Sequence, residues 1–177
     1  MGALNQFDHA LLGAAAAWRT PWLDGLFLAT TWLGSLWLLL PVSALAGLYA
    51  YSSAGRLLAV LVVAVPMIVS GLCSLLKRLV DRERPLLHEA LVSIPADAAF
   101  PSAHSAQVMA VAVAFVIVFP AAANYRIAVP LVLLVLLVGY SRIYLQVHWP
   151  SDVLAGWLVG LVSTLLILYP TLKGRLA

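Results

Sequence analysis

Five apolar stretches, at 35–51, 57–80, 102–119, 125–145 and 150–170, each approach or reach the roughly 20 residues that a helix needs to cross a bilayer. Nothing else in this 177-residue chain constrains its fold as strongly. The stretches lack the alternating polar residues that line the lumen of a membrane barrel. Composition agrees: 64% hydrophobic residues, 10% charged residues and a mean hydropathy of +1.03 lie well outside the range of soluble domains. The expected fold is all-α, a polytopic membrane helical bundle of about five spanning helices preceded by interfacial helices, with residues 1–177 forming one domain.

The first third is less uniform. Residues 4–18 interleave Leu4, Phe7, Leu11, Leu12 and Trp18 with Asn5, Gln6, Asp8 and His9, a pattern too short and too polar to span and suited to lying along the interface. Residues 22–33 carry Asp24, Thr30 and Thr31, and Gly34-Ser35 offers a break, so a second interfacial helix is expected there. That division makes 1–33 interfacial and 35–172 the helical core, with a single helix through 22–51 as the alternative. Pro66 allows a kink in the second span, and residues 120–124 are expected to turn the chain. Cys73, alone in an apolar run, gives no internal disulfide and no zinc or redox motif. Residues 1–20, with Asp8, His9 and Arg19, do not read as a signal peptide.

Five spans put the 81–101 connection and the 146–149 turn on one side of the membrane. The opposite side then holds Arg56, Arg126, Lys173 and Arg175 without an acid, while all seven Asp and Glu residues fall on or next to the loop side. The acid-free basic side is expected to be cytoplasmic, which turns the loop side to the periplasm or exterior of an inner membrane. Six Lys and Arg residues nevertheless lie on the loop side, and anion binding accounts for them. A net charge of +3 without a basic, aromatic-bearing surface gives no sign of nucleic acid as a partner.

Three segments bring chemistry to the loop side. Lys77 and Arg84 leave the second span seven positions apart, two helical turns, and share a direction if the helix continues between them. Ser102 follows Pro101 at the mouth of the third span, a natural N-cap beside first-turn N–H groups that attract anions, with His104 two residues on. The segment 141–152 places Ser141, Arg142, His148 and Asp152 between two spans, where ionisable residues are costly. If Pro150 opens the last helix, Asp152 lies in its first turn and can fold back on the His148 imidazole. Three cations, a hydroxyl, helix-start N–H groups and two histidines together suit an oxyanion held at the membrane surface. Taken singly, each piece also suits contact with lipid headgroups or plain helix capping.

The spacing Lys77-x6-Arg84-Pro85, then Pro101-Ser102-Ala103-His104, then Ser141-Arg142-x5-His148-x3-Asp152 resembles the type-2 phosphatidic acid phosphatase family of membrane lipid phosphatases, over about residues 22–172. Ala103 stands where that family usually has glycine. The resemblance implies that His148 attacks phosphorus to form a phosphohistidine, that Asp152 orients it and that His104 protonates the leaving oxygen. It further implies that Lys77, Arg84, Arg142, Ser102 and the Ala103 N–H hold the phosphoryl oxygens, with no metal and no cofactor. Arg78, Arg82 and His88 fall outside the motif and are expected to be headgroup or loop contacts. The partner would be a lipid phosphate or diphosphate in the membrane. Undecaprenyl diphosphate comes first, from a likeness of 96–102 to the small undecaprenyl-diphosphatase branch, with phosphatidylglycerol phosphate and phosphatidic acid next. The rival readings are a phosphotransferase using the same residues, a metal hydrolase built on His104, His148 and Asp152, and a non-catalytic lipid-binding or transport protein. The chain lacks the paired-histidine helix spacing of common zinc hydrolases, and its cations would repel a metal. Nothing in the sequence addresses oligomeric state.

Overall fold

The computed structural model describes residues 2–119 and 124–176, and within them the side chains of all but Ala54 and 170–176. These residues form seven helices and no strand: α1 (Ala3–Ala17), α2 (Pro21–Trp32), α3 (Leu36–Ala54), α4 (Arg56–Val80), α5 (Ala103–Val118), α6 (Tyr125–Tyr144) and α7 (Pro150–Leu176). Helices α3, α4, α6 and α7 are long and apolar enough to cross a membrane, and α5 is a shorter apolar helix of 16 residues. The protein is therefore an all-helical, multi-pass membrane bundle. The turn expected at 120–124 lies, apart from Asn124, outside the described residues, as do the side chains of Lys173 and Arg175.

Residues 22–51 form two helices. Thr20 accepts the Leu23 N–H and Pro21 opens α2, whereas Ser35 stands before α3 after the break at 33–35. Pro66 stays within an unbroken α4.

Helix α5 is the centre of the bundle, in contact with α3, α4, α6 and α7. Ala106, Ala110 and Ala114 recur every fourth residue and so share one face, which packs with Ala46, Ala50, Val62, Val65, Val69 and Cys73. On α7, glycine permits a still closer approach. A Cβ at Gly156 would lie 2.5 Å from the Ser102 carbonyl oxygen, so the start of α7 is pressed against the start of α5. Small residues at such contacts serve bundles in lipid, where dispersion between closely packed backbones replaces the hydrophobic effect. The Ser102 N–H donates to the Asp152 carbonyl at 3.0 Å, and this contact brings two of the three sequence motifs together.

The two N-terminal helices present Trp18, Trp22 and Trp32 outward, as suits a membrane interface. Their inner faces are part of the protein. Helix α1 buries Leu12 and Ala15 against Ile143 and Val153. Helix α2 runs alongside the end of α6, with Tyr144 donating to Asp24 at 2.6 Å and Phe27 packed on Tyr140 and Tyr144.

Candidate active site

The connector between α6 and α7 carries His148. Gln146 turns the chain there in a left-handed conformation (φ 61°), and its buried amide donates to the carbonyls of Leu12 at 3.0 Å and Ile143 at 3.2 Å. Pro150 then opens α7, as its fixed φ allows, and Asp152 falls in the first turn. Asp152 Oδ2 accepts the Trp149 N–H at 2.9 Å and stands 3.6 Å from His148 Nδ1, a contact longer than a hydrogen bond. On the other side of the ring, Arg84 Nη1 lies 3.2 Å from Nε2. A guanidinium only donates, so Nε2 accepts and the ring proton sits on Nδ1, facing Asp152. Although it lies in the connector between two spans, His148 is 2% exposed. Burial first, then the charges of Arg142, Arg84 and Lys77, hold its pKa well below the ordinary 6.5, and the imidazole is neutral at physiological pH.

Lys77 reaches the site from the last turn of α4. The helix does not continue to Arg84: Asp81 closes it in a left-handed conformation (φ 45°), its N–H bonded to the Lys77 carbonyl at 3.0 Å. Arg84 instead comes back through the loop, and Asp97 joins it to Lys77, accepting from Lys77 Nζ at 3.0 Å and from Arg84 Nη2 at 2.6 Å. Carbonyls complete the hold. Lys77 donates to Ala98 at 2.6 Å, while Arg84 donates to Asp97 at 2.9 Å and Val147 at 2.6 Å. Burial works against the Asp97 carboxylate, but hydrogen bonds from Lys77 and Arg84 outweigh it and keep its pKa below the ordinary range.

Arg142 is 5% exposed, so it is no headgroup contact. Its Nη1 donates to Thr31 Oγ1 at 2.5 Å, and its Nε is buried with no hydrogen-bond partner. An unsatisfied guanidinium N–H inside a protein is uncommon and marks this pocket as suited to an acceptor.

Ser102 occupies the position before α5, fully buried, but its side chain caps none of the helix N–H groups. The hydroxyl accepts from Ser105 Oγ at 2.9 Å and keeps its own proton to donate. First-turn N–H groups, including that of Ala103, are thus left for another acceptor. His104 is half-buried and lies within electrostatic reach of Arg142, His148, Lys77 and Arg84. Gly34 backs it: a Cβ there would lie 2.5 Å from Val138 Cγ1 and 3.2 Å from His104 Cβ. In the sequence Gly34 reads only as a helix break.

Arg82 is the main correction to the sequence reading. It is not a headgroup or loop contact, since Nη1 donates to Asp152 Oδ1 at 2.5 Å and to Ser151 Oγ at 2.7 Å, and Nη2 to Asp8 Oδ2 at 2.7 Å. Its guanidinium also lies over the Trp149 ring at 5.4 Å. These partners come from α1 and α7, far from residue 82 in sequence, and no local spacing announces them. Arg78 and His88 are exposed.

A polar cleft of about 530 Å³, lined by Arg82, Glu83, Arg84, Pro95, Asp97 and Ala98 among others, opens beside these groups. A second cleft of about 390 Å³, between α5, α6 and α7, has apolar walls without a titratable side chain and supplies no chemistry. Among the described residues no three His, Cys, Asp or Glu side chains are grouped to hold a metal ion.

The PAP2 superfamily pattern matches residues 56–174. Phosphatidylglycerophosphatase B of Bacillus subtilis (strain 168) is 32% identical over 178 residues, spanning 93% of this chain and 83% of that protein. Undecaprenyl-diphosphatase BcrC of the same organism is 38% identical over 72 residues, 41% of this chain and 35% of that one. The crystal structure of the transmembrane PAP2-type phosphatidylglycerolphosphate phosphatase from Bacillus subtilis superposes with a TM-score of 0.85 at 29% identity, covering 98% of this chain and 88% of that one. The chain belongs to the PAP2 superfamily.

Proposed function

We propose that the protein is an integral-membrane lipid phosphatase that works through a phosphohistidine on His148. One observation carries the reading: a buried, neutral imidazole stands between an orienting carboxylate and a guanidinium, with two more buried cations and a second histidine in electrostatic range. In the first step Nε2 leaves its contact with Arg84 and attacks phosphorus. The bond from phosphorus to the lipid oxygen breaks, and His104, protonated from solvent once the negative phosphate offsets the surrounding cations, supplies the proton that oxygen needs. In the second step water attacks the phosphohistidine, His104 takes its proton, the P–N bond breaks and phosphate leaves. Asp152 keeps the Nδ1 proton in place throughout. Lys77, Arg84, Arg142, Ser102 and the Ala103 N–H meet the equatorial oxygens, where charge concentrates in phosphoryl transfer.

Phosphatidylglycerol phosphate and undecaprenyl diphosphate are the substrates to test first. The long match to a phosphatidylglycerophosphatase favours the former, and the shorter matches to undecaprenyl-diphosphatases favour the latter. Purified protein should release phosphate from at least one of them, inhibited by vanadate and insensitive to chelators. Chelator-sensitive release would favour a metal hydrolase, and no release from any lipid phosphate would favour the lipid-binding reading.

Arg142→Lys discriminates a phosphoryl clamp from a simple positive charge. A planar fork that grips transferring oxygens is not replaced by a point charge. We expect kcat to fall at least roughly tenfold, equivalent to about 1.4 kcal/mol of transition-state stabilisation, with a smaller change in KM. A near wild-type kcat would remove Arg142 from the reaction.

For topology, we propose that the 81–101 loop faces the periplasm or exterior. His88, in the loop that follows α4, and Ser53, in the last turn of α3 just before α4, are both exposed. In a background lacking Cys73, an impermeant maleimide added to intact cells should label His88→Cys and spare Ser53→Cys; the reverse pattern would invert the orientation.

A further inference from the structure

We propose that α1 is a working part of the active site, in which Asp8 acts as a positioning residue for the carboxylate that orients His148. This rests on the role given to His148 above. Asp8 is 1% exposed, on a helix whose composition suits a membrane surface, and a side-chain carboxyl so far from water needs hydrogen-bond donors inside the protein. It has three donors. Arg82 Nη2 reaches Oδ2 at 2.7 Å, Ser151 Oγ reaches the same oxygen at 2.6 Å, and the Ser151 N–H reaches Oδ1 at 2.8 Å.

Arg82 spends its other terminal nitrogen on Asp152 Oδ1 at 2.5 Å, so one rigid guanidinium joins the carboxylates of α1 and α7. With Oδ1 taken, Oδ2 alone is left for the Trp149 N–H and for His148 Nδ1. The carboxylate then cannot rotate without giving up a charged partner.

A second tie comes from the same helix, where the Leu12 carbonyl accepts the Gln146 amide at 3.0 Å. Helix α1 therefore grips the catalytic connector on both sides of His148, at Gln146 before it and at Ser151 after it. Removing the Asp8 charge leaves Arg82 with one carboxylate, deprives the Ser151 N–H of its charged acceptor and frees the Asp152 side chain to turn. Asp8 does not line the polar cleft, and its effect passes through Arg82 and Asp152.

A double-mutant cycle tests this. Asp8→Asn should lower kcat roughly tenfold, the size of loss seen when the outer partner of a working ligand is removed, and leave KM within about twofold. In an Asp152→Asn background, which keeps His148 and the cations, Asp8→Asn should cost less than about twofold, because there is no charged carboxylate left to hold. Ser151→Ala, which removes one hydroxyl and keeps both helices, should show a smaller loss that also vanishes in that background. It serves as the reporter if Asp8→Asn does not fold. Equal losses in both backgrounds, or a wild-type kcat in Asp8→Asn, would overturn the role of α1 while leaving the phosphatase standing. A wild-type protein that releases no phosphate would overturn both.

Discussion

His148→Ala is expected to abolish phosphate release from every lipid substrate while leaving the helical bundle assembled. Both halves of that expectation come from where the side chain sits. The residue is buried, but the main core runs through α3, α4, α5 and α7, and His148 has no part in it. Deleting the ring leaves a small void and frees Arg84 Nη1, which keeps its bond to the Val147 carbonyl. Some stability is lost, of the order of 1–3 kcal/mol for a buried polar truncation, and assays belong at temperatures where the variant is fully folded. Activity has no such reserve. In the proposed mechanism the neutral imidazole, with its unprotonated Nε2, is the nucleophile, and neither water nor an arginine replaces it. A folded variant that still released phosphate at a substantial rate would refute the assignment.

The second large effect concerns His104. As the proposed proton donor to the leaving oxygen, it matters in proportion to how badly that oxygen needs a proton. His104→Ala should cost roughly 10²–10⁴ in kcat on a lipid phosphate, whose alkoxide is a poor leaving group. On a nitrophenyl phosphate, whose phenolate leaves unaided, the loss should shrink by at least about tenfold. An equal loss on both substrates would show that His104 binds the phosphoryl group and moves no proton. The Gly34 backing makes the position of this ring a property of the fold, because any side chain there would push against the His104 Cβ.

The helices were legible because lipid leaves little choice. Long apolar runs must satisfy their backbone internally, and the observed spans fall within a few residues of the expected ones. The central motif residues were legible for a related reason: each motif is local, so Asp152 beside His148 and Ser102 before His104 follow from spacing. What stayed hidden joins distant segments. Asp8 meets Arg82 across 74 positions, and Asp97 holds Lys77 and Arg84 through a loop whose path no periodicity fixes. Lys77 and Arg84 would share a direction only if the helix continued between them, and a left-handed Asp81 ends it there, so the two meet through Asp97. The Ser102 hydroxyl likewise accepts from Ser105 instead of capping α5, at a place where Gly156 of α7 packs close to both residues.

The most direct test of the account is to quench the working enzyme on a phosphorus-labelled lipid substrate and find where the label resides. An acid-labile, base-stable phosphoramidate on His148, formed as fast as the enzyme turns over and absent from His148→Ala, is the predicted result. Full turnover with label on another residue, or with no covalent label at any time in the cycle, would contradict it.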